Sequence, residues 1–479
     1  MQPSCADLPM PRGTRNRHGT TLPRRIGIAF ALLIATTCSA RAQPRQFVAG
    51  QRFNVDLVNT AIVGPNRVVS LAGAYTALGQ GIDNAVITPV AYAARTLWDS
   101  RWFSLDLTVD LSPGLLRRID FINSRKSNVV DDNSLFVTAG ASAMFGSFGL
   151  GAILRTQRYR IGETATLDLL FGNFGACYAF LEGQLLVGMS ARTSTISLSR
   201  QPDGRDLGSF TQIGPEVGAI VGPVDRPFRV GVAARTALKT SYRFESPSEL
   251  PFASPEAVVL PAEVQIGFAY QFGDRPLNRR WVNPHERAEQ IRRDVLRRRQ
   301  ERQERAAAWP VPLDASLAGV PAREPRLDPE PAPTEEQELE REVQRAERAE
   351  EAAIAALSRR YVLLSADLVL IGETARGVDL EAFLAQERQD AGRNPSFSVR
   401  VGVESELLAN RFRVRVGSYL EPSRIAGLSP RLHGTLGGDV KVLTFDLFGL
   451  LAPLDWRVTA AFDFATEFQS FGFSLGIWH

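Results

Sequence analysis

Residues 396–420 read SFSVRVGVESELLANRFRVRVGSYL. Phe397, Val399, Val401 and Val403 alternate with Ser398, Arg400, Gly402 and Glu404. After Leu408-Ala409-Asn410 the alternation resumes, with Phe412, Val414 and Val416 against Arg411, Arg413, Arg415 and Gly417. Period two with aromatic and β-branched residues on one face predicts two strands, and the short break predicts a hairpin. Arginines on alternate positions cannot face a dry core without partners. A tight turn sets Glu404 opposite Arg413 or Arg415, so cross-strand ion pairs are available. In a soluble sandwich the charged face is the outer one. In a transmembrane barrel it is the lumen, and Phe and Val meet lipid. The hairpin alone fits both.

The same alternation recurs from Arg101 to the end of the chain. Phe103, Leu105, Leu107, Val109 and Leu111 alternate with Ser104, Asp106, Thr108 and Asp110; Val264, Ile266, Phe268, Tyr270 and Phe272 alternate with Gln265, Gly267, Ala269 and Gln271. Fourteen such segments are expected, with the opening hairpin as the tenth and eleventh, and single-chain bacterial barrels have even strand numbers. Breaks alternate in length. Gly146-Ser147, Leu181-Glu182 and Leu408–Asn410 are tight, whereas 112–132, 241–257, 373–394 and 421–430 are long. A barrel with short periplasmic turns and long extracellular loops produces that pattern, and a sandwich has no reason to. The reading is an all-β chain: a transmembrane antiparallel β-barrel of about fourteen strands with an N-terminal hatch segment and a charged α-helical insert.

Residues 1–42 read as a signal peptide. Arg24-Arg25 precede the apolar run Ile26–Ala35, and Ala40-Arg41-Ala42 is a cleavage site ahead of Gln43. Met10 is an alternative start, Arg24-Arg25 admits a twin-arginine reading, and Cys38 is a weak lipobox candidate. Six of the 55 Lys and Arg and one of the 52 Asp and Glu lie in 1–42, which leaves 49 basic and 51 acidic residues, a net −2. A near-neutral exported chain has no charge-based case for nucleic acid. Cys5 and Cys38 fall in the signal, so Cys177 alone remains and no disulfide framework exists.

Residues 43–100 form the expected hatch. Ser70 to Ala85, SLAGAYTALGQGIDNA, followed by Thr88-Pro89-Val90-Ala91, resembles the N-terminal signature of FadL-like and PorV-like outer-membrane barrels. Gly73, Ala74, Tyr75, Asp83, Asn84 and Pro89 carry the likeness, and Thr88-Pro89-Val90-Ala91 departs from the family's Asn-Pro-Ala-Gly. AYQFGDRPLN at 269–278 and VRVGSYLEPS at 414–423 resemble two further stretches of the same superfamily. At the end, Phe471, Phe473, Leu475 and Ile477 alternate, with Trp478 on the other face, as in the closing strand that barrel-assembly machinery recognises; His479 replaces the usual Phe.

The barrel is expected in two parts, 101–272 and 360–479, separated by an insert at 273–359 on the periplasmic side. Within the insert, His285–Ala308 is Arg- and Glu-rich, a Pro-rich link follows, and Thr334-Glu335-Glu336-Gln337 is a capping box for a second helix to about Arg359. Its apolar stripe is too thin for a core of its own, so the insert reads as a spacer or as a docking arm for a periplasmic partner.

Asp106, Asp110, Arg229, Arg235, Asp367, Arg400, Glu404, Arg411, Arg413 and Arg415 share the polar parity and are the candidate lumen charges, with Asp439, Lys441 and Asp463 beside them. They form either a neutralising network or a polar ligand path. Phe121, Ile122 and Leu380–Leu384 are candidates for apolar inward contacts. No Gly-x-Ser-x-Gly, P-loop or paired-His motif occurs, and His433 is the one candidate base, read as a wall residue. No enzyme activity, cofactor or metal is expected. The resemblance implies an outer-membrane channel of a Gram-negative bacterium for small hydrophobic molecules, with membrane lipid and barrel-assembly machinery as partners. The alternative is a non-transporting barrel that serves protein export or envelope assembly as a scaffold.

Overall fold

The computed structural model describes residues 45–46, 52–58, 61–113, 120, 123–124, 135–161, 165–200, 204, 206–241, 255–308, 335–385, 387–445 and 453–478. Ala40, Ala42, Gln43, Phe121, Ile122 and the Thr334 cap lie outside them.

Fourteen antiparallel strands close into a barrel. They are β1 (Phe103–Pro113), β2 (Leu135–Phe145), β3 (Phe148–Ile161), β4 (Ala165–Phe180), β5 (Leu185–Arg200), β6 (Asp206–Val221) and β7 (Phe228–Arg235), then β8 (Glu263–Phe272), β9 (Val362–Ile371), β10 (Ser396–Leu408), β11 (Phe412–Glu421), β12 (Arg431–Phe445), β13 (Leu454–Ala465) and β14 (Phe468–Ile477). Neighbours in sequence are neighbours in the wall, and β14 closes on β1 with Phe473 opposite Leu111 and Gly476 opposite Thr108. Among the described residues the barrel wall therefore has no free edge.

Side-chain parity sorts the two faces. On β10, Phe397 is 56% exposed, while Arg415 on β11 is fully buried in the lumen. Val187, Met189, Val217, Phe268, Leu368, Phe462 and Phe473 likewise point outward and exposed. A continuous apolar outer face over a charged interior belongs in a bilayer, since lipid removes the cost that water imposes on those side chains. Among the described residues no helix is long and apolar enough to cross a membrane.

One rim, here called the lower, carries the start of β1, the end of β14 and the 273–361 connection. The other, the upper, carries the connections at 114–134, 236–262, 372–395 and 422–430. Two upper connections break the expected length rule: β3 and β4 are separated by three residues, and β13 and β14 only by Thr466-Glu467. Glu467 takes φ +59°, which lets a two-residue turn close the hairpin.

Two expected strands overran the wall. Leu238–Ser241 and Ala257–Leu260 leave it and join Asn54–Asp56 and Gly377–Asp379 in a separate four-stranded sheet at the upper end. Asn54–Asp56 sits in the middle, parallel to both of its neighbours. Arg45–Gln46 pairs with Glu387–Arg388 nearby. The N-terminal segment therefore reaches the loops of the upper rim.

In the insert, α2 (Pro284–Ala308) and α3 (Glu335–Ala355) pack on one another through Arg299 and Arg302, both bonded to Glu342. Two shorter helices, α1 (Asn66–Ser70) and α4 (Leu380–Leu384), lie in the N-terminal segment and in the upper connection between β9 and β10.

Candidate functional site

Residues 61–97 run down the lumen as α1 and two short 3-10 turns, Ile82–Val86 and Pro89–Tyr92. Small residues let this backbone lie directly on the wall. The ideal Cβ at Gly188 would stand 2.7 Å from the Pro89 carbonyl, and at Gly402 2.5 Å from the Leu71 side chain. A methyl at Gly149 or Gly231 would overlap the carbonyl oxygens of Tyr92 and Thr76. Wall glycines on many strands thus form a belt that seats the plug.

Polar atoms of the plug find partners on the wall. The Ile82 amide donates to Asp106 (2.6 Å), the Asn66 amide to Asp110 (2.8 Å) and the Thr76 amide to Asp367 (2.9 Å). Thr88 caps the second 3-10 turn by accepting from Val90 N. Asp83 pairs with Arg457 and lies 3.8 Å from Arg67. Arg457 continues into Asp439 (3.9 Å), which holds Arg415 by two bonds of 2.8 and 2.6 Å, and Arg415 binds Glu404 at 2.5 Å. The register places Glu404 opposite Arg415 and Glu406 opposite Arg413. Arg413 stacks on Trp478, 4.7 Å from its ring centre. Buried charges need such mutual compensation, and here the plug supplies one carboxylate of the chain.

His433 is held on both sides, Nδ1 to Asp463 and Nε2 to Glu421, each at 2.8 Å. Tyr419 stacks on its ring at 4.3 Å and donates to Asp463, while its oxygen accepts from the plug amide of Ile62. Both ring nitrogens are thus occupied by wall carboxylates, which leaves no lone pair aimed at the lumen. Among the described residues no His, Cys, Asp and Glu grouping fits a metal ion.

Above the plug the inward face of β2 to β5 turns largely apolar. Phe136, Tyr159, Leu169, Phe171, Ile196 and Leu198 of the wall pack with Phe53, Val55 and Leu57 of the N-terminal segment and with Leu380 and Phe383 of α4. Between that cluster and the plug lies a cavity of about 140 Å³, bounded by Leu57, Ile62, Phe171, Leu260, Ile371 and a set of arginines.

The lower end is clamped by residues flanking the insert. Arg279 donates to Leu97 O at 2.5 Å, Trp281 N to Glu182 O at 2.9 Å, and Asn278 Nδ2 to the carbonyls of Pro223, Arg226 and Phe228. Arg95 of the plug lies over Trp281 at 4.4 Å, and Arg359 lies over Trp98 at 4.2 Å.

Gly73, Ala74, Tyr75, Asp83, Asn84 and Pro89 are thus in the lumen, with Gly73 at φ +68° beneath Arg400. Nine of the ten candidate lumen charges face inward. Arg411 does not: it sits exposed in the lower turn between β10 and β11, because the turn consumes its position and the alternation starts at Phe412. Lys441 is at the lower rim, bonded to Asp455 at 2.6 Å. Phe473 and Leu475 face outward, Phe471 packs on Phe462, and Ile477 is buried beside Trp456. Arg457, Glu216, Glu421 and Arg431 escaped the sequence reading, although each lies on the polar parity of its strand.

No family model and no curated protein sequence matches the chain. Solved FadL-type outer-membrane channels align over most of it at low identity. The crystal structure of a Pseudomonas aeruginosa FadL homologue is 10% identical and covers 89% of this chain and 99% of that chain, with a TM-score of 0.43. The CymD monoaromatic hydrocarbon channel is 11% identical over 88% and 97%, with a TM-score of 0.44. The Pseudomonas putida toluene transporter TodX is 10% identical over 89% and 98%, with a TM-score of 0.41.

Proposed function

We propose that this chain is an outer-membrane β-barrel that admits small hydrophobic molecules from outside the cell, with the upper rim extracellular and the lower rim periplasmic. One observation carries the reading: part of the upper lumen holds a cluster of apolar side chains from both wall and loops, beside a cavity above the plug. A barrel that merely needed filling has no reason to gather apolar side chains from the wall, the N-terminal segment and α4 into one cluster above the plug. Apolar ligands partition into such sites and are oriented there by few polar groups. The plug blocks a straight path, so passage requires it to shift or the wall to release the ligand sideways.

Uptake of radiolabelled toluene by cells expressing the chain, compared with cells lacking it, tests this. Faster uptake that is lost on replacing Phe171 and Ile196 by Asp supports passage; equal rates with and without the protein reject it. The second reading, a non-transporting scaffold, draws on the tight seating of the plug on the glycine belt. It predicts no uptake and a stable complex with a periplasmic or membrane protein through the insert.

A further inference from the structure

His433 sits where the plug, the wall and the upper connections meet, and its contacts fix how many protons the cluster holds. Nδ1 lies 2.8 Å from Asp463 Oδ1 and Nε2 lies 2.8 Å from Glu421 Oε2, with all three side chains fully buried. A neutral imidazole carries one N–H, and an ionised carboxylate only accepts. Two carboxylates on one ring therefore need a second proton, held on the ring as an imidazolium or on one of the carboxyls. Without it, a ring nitrogen and a carboxylate oxygen turn lone pairs on each other in a buried site, which is costly.

The titratable and charged groups around the ring come from four elements. Tyr419 and Glu421 belong to β11, Arg431 to β12 itself, Asp463 to β13, and Asp120 to the upper connection after β1. Arg431 Nε donates to the same Glu421 oxygen that meets His433, at 2.7 Å, and its Nη1 lies 3.3 Å from Asp120. With the second proton, the two positive groups Arg431 and His433 stand against the carboxylates of Glu421, Asp463 and Asp120; without it, Arg431 stands against all three. The ring has little room to step aside, since Tyr419 stacks on it at 4.3 Å and Phe468 meets it edge-on at 4.9 Å.

Each carboxylate also holds a part that closes the barrel. Asp463 accepts from the Tyr419 hydroxyl at 2.7 Å, and that oxygen accepts the amide of Ile62, at the head of the plug, at 3.2 Å. Glu421 holds Arg431, which donates to Asp120 O at 2.6 Å and to Thr466 O at 3.2 Å. Asp120 in turn accepts the Ser124 amide at 2.8 Å, and the Ser124 hydroxyl donates to Glu381 of α4. We propose that the cluster is a proton-held latch: the shared proton fastens the head of the plug and the upper connections to the wall, and its loss on raising the pH releases them. This deepens the channel reading by naming what regulates access to the lumen, and it rests on that reading only for the consequence of release.

Hydrogen exchange of the full chain in detergent, followed at the Ile62 amide and corrected for the intrinsic pH dependence of exchange, tests it. Protection is expected to fall by at least about tenfold between about pH 6 and about pH 9. Asp463→Asn removes the need for the second proton, because the amide nitrogen donates to a neutral His433 while the amide oxygen still accepts from Tyr419. That variant should keep Ile62 protected over the whole range, with the thermal transition of the parent at about pH 6, which separates a lost titration from a lost fold. Tyr419→Phe, which cuts the link to the plug, should leave Ile62 poorly protected at every pH. Protection in the parent that does not change with pH, or an equal fall in Asp463→Asn, overturns the proposal. A parent-like pH profile in Tyr419→Phe overturns the connection to the plug. A pH step at Ile62 without toluene uptake by cells at either pH sinks the channel reading and leaves the latch standing.

Discussion

At the scale of single residues the lumen runs on two devices, glycine where backbones touch and paired charge where side chains cross. Gly231→Val inserts a side chain where the Thr76 carbonyl lies, on a wall that hydrogen bonds hold rigid. The plug, not the wall, is expected to give way. In planar bilayers the parent protein should show no steady conductance and the variant a stable one; a silent variant would show that the plug adapts. Asp83→Asn removes the plug's carboxylate from the Arg457–Asp439–Arg415 chain. Leaving a buried charge with a lost partner costs about 3–5 kcal/mol. Asp439 remains near Arg457, so the lower end applies, and the loss of compact migration on unboiled gels should move to lower temperature. An unchanged transition would mean that Asp83 adds nothing to plug seating.

At the scale of elements the insert divides into a clamp and an arm. Residues 277–281 and 359 grip the plug's lower end, whereas α2 and α3 touch mainly one another. Deleting 284–355 should leave barrel assembly and conductance as they are, while Trp281→Ala, which strips the cover from Arg95, should raise leakage of a small dye. Both effects are read in the same vesicle assay, and leakage in the deletion but not in Trp281→Ala would reverse the assignment. The arm is pH-sensitive. The bond from Arg299, aided by Arg302, holds the Glu342 carboxyl below its usual range. A depressed folded pKa gives a contribution complete above the ordinary glutamate value of about 4.3 and lost as pH falls through the lowered one. Spin labels placed on α2 and α3 should therefore separate on acidification and also in high salt, since the pair is solvent-exposed. A distance that stays constant down to pH 2 would show that apolar contacts such as Val295 hold the helices together.

For the whole molecule, the apolar outer face decides the solvent. The protein should stay folded only in detergent or lipid and precipitate on detergent removal, as measured by light scattering. A monodisperse particle in plain buffer would contradict the barrel's membrane role. The upper sheet of four strands and the plug together stitch four distant parts of the chain, with Arg424 bonded to Asp56 at 2.5 Å and Asn54 to Ala375 O at 2.7 Å. That stitching makes the N-terminal segment part of the same closed structure as the loops.

The strands were legible in the sequence because a barrel wall has one period and two solvents. Each step along β10 or β11 changes the side chain between lipid and lumen, and Phe397 to Val416 record that without help from the rest of the chain. Most lumen charges followed from the same parity, whereas the hatch residues were marked only by a resemblance. What parity does not carry is pairing across the lumen. Arg457 meeting Asp83, Glu216 and Glu263 both turning to Arg235, and Arg155, Arg192 and Arg400 facing one cavity depend on which residues the closed ring brings opposite one another. The departure of Leu238–Ser241 and Ala257–Leu260 from the wall was hidden for the same reason, since a strand alternates alike in a barrel and in a cap. The membrane-facing period was thus local and written in order along the chain, while the site is a sum of distant strands that exists only once the barrel has closed around its plug.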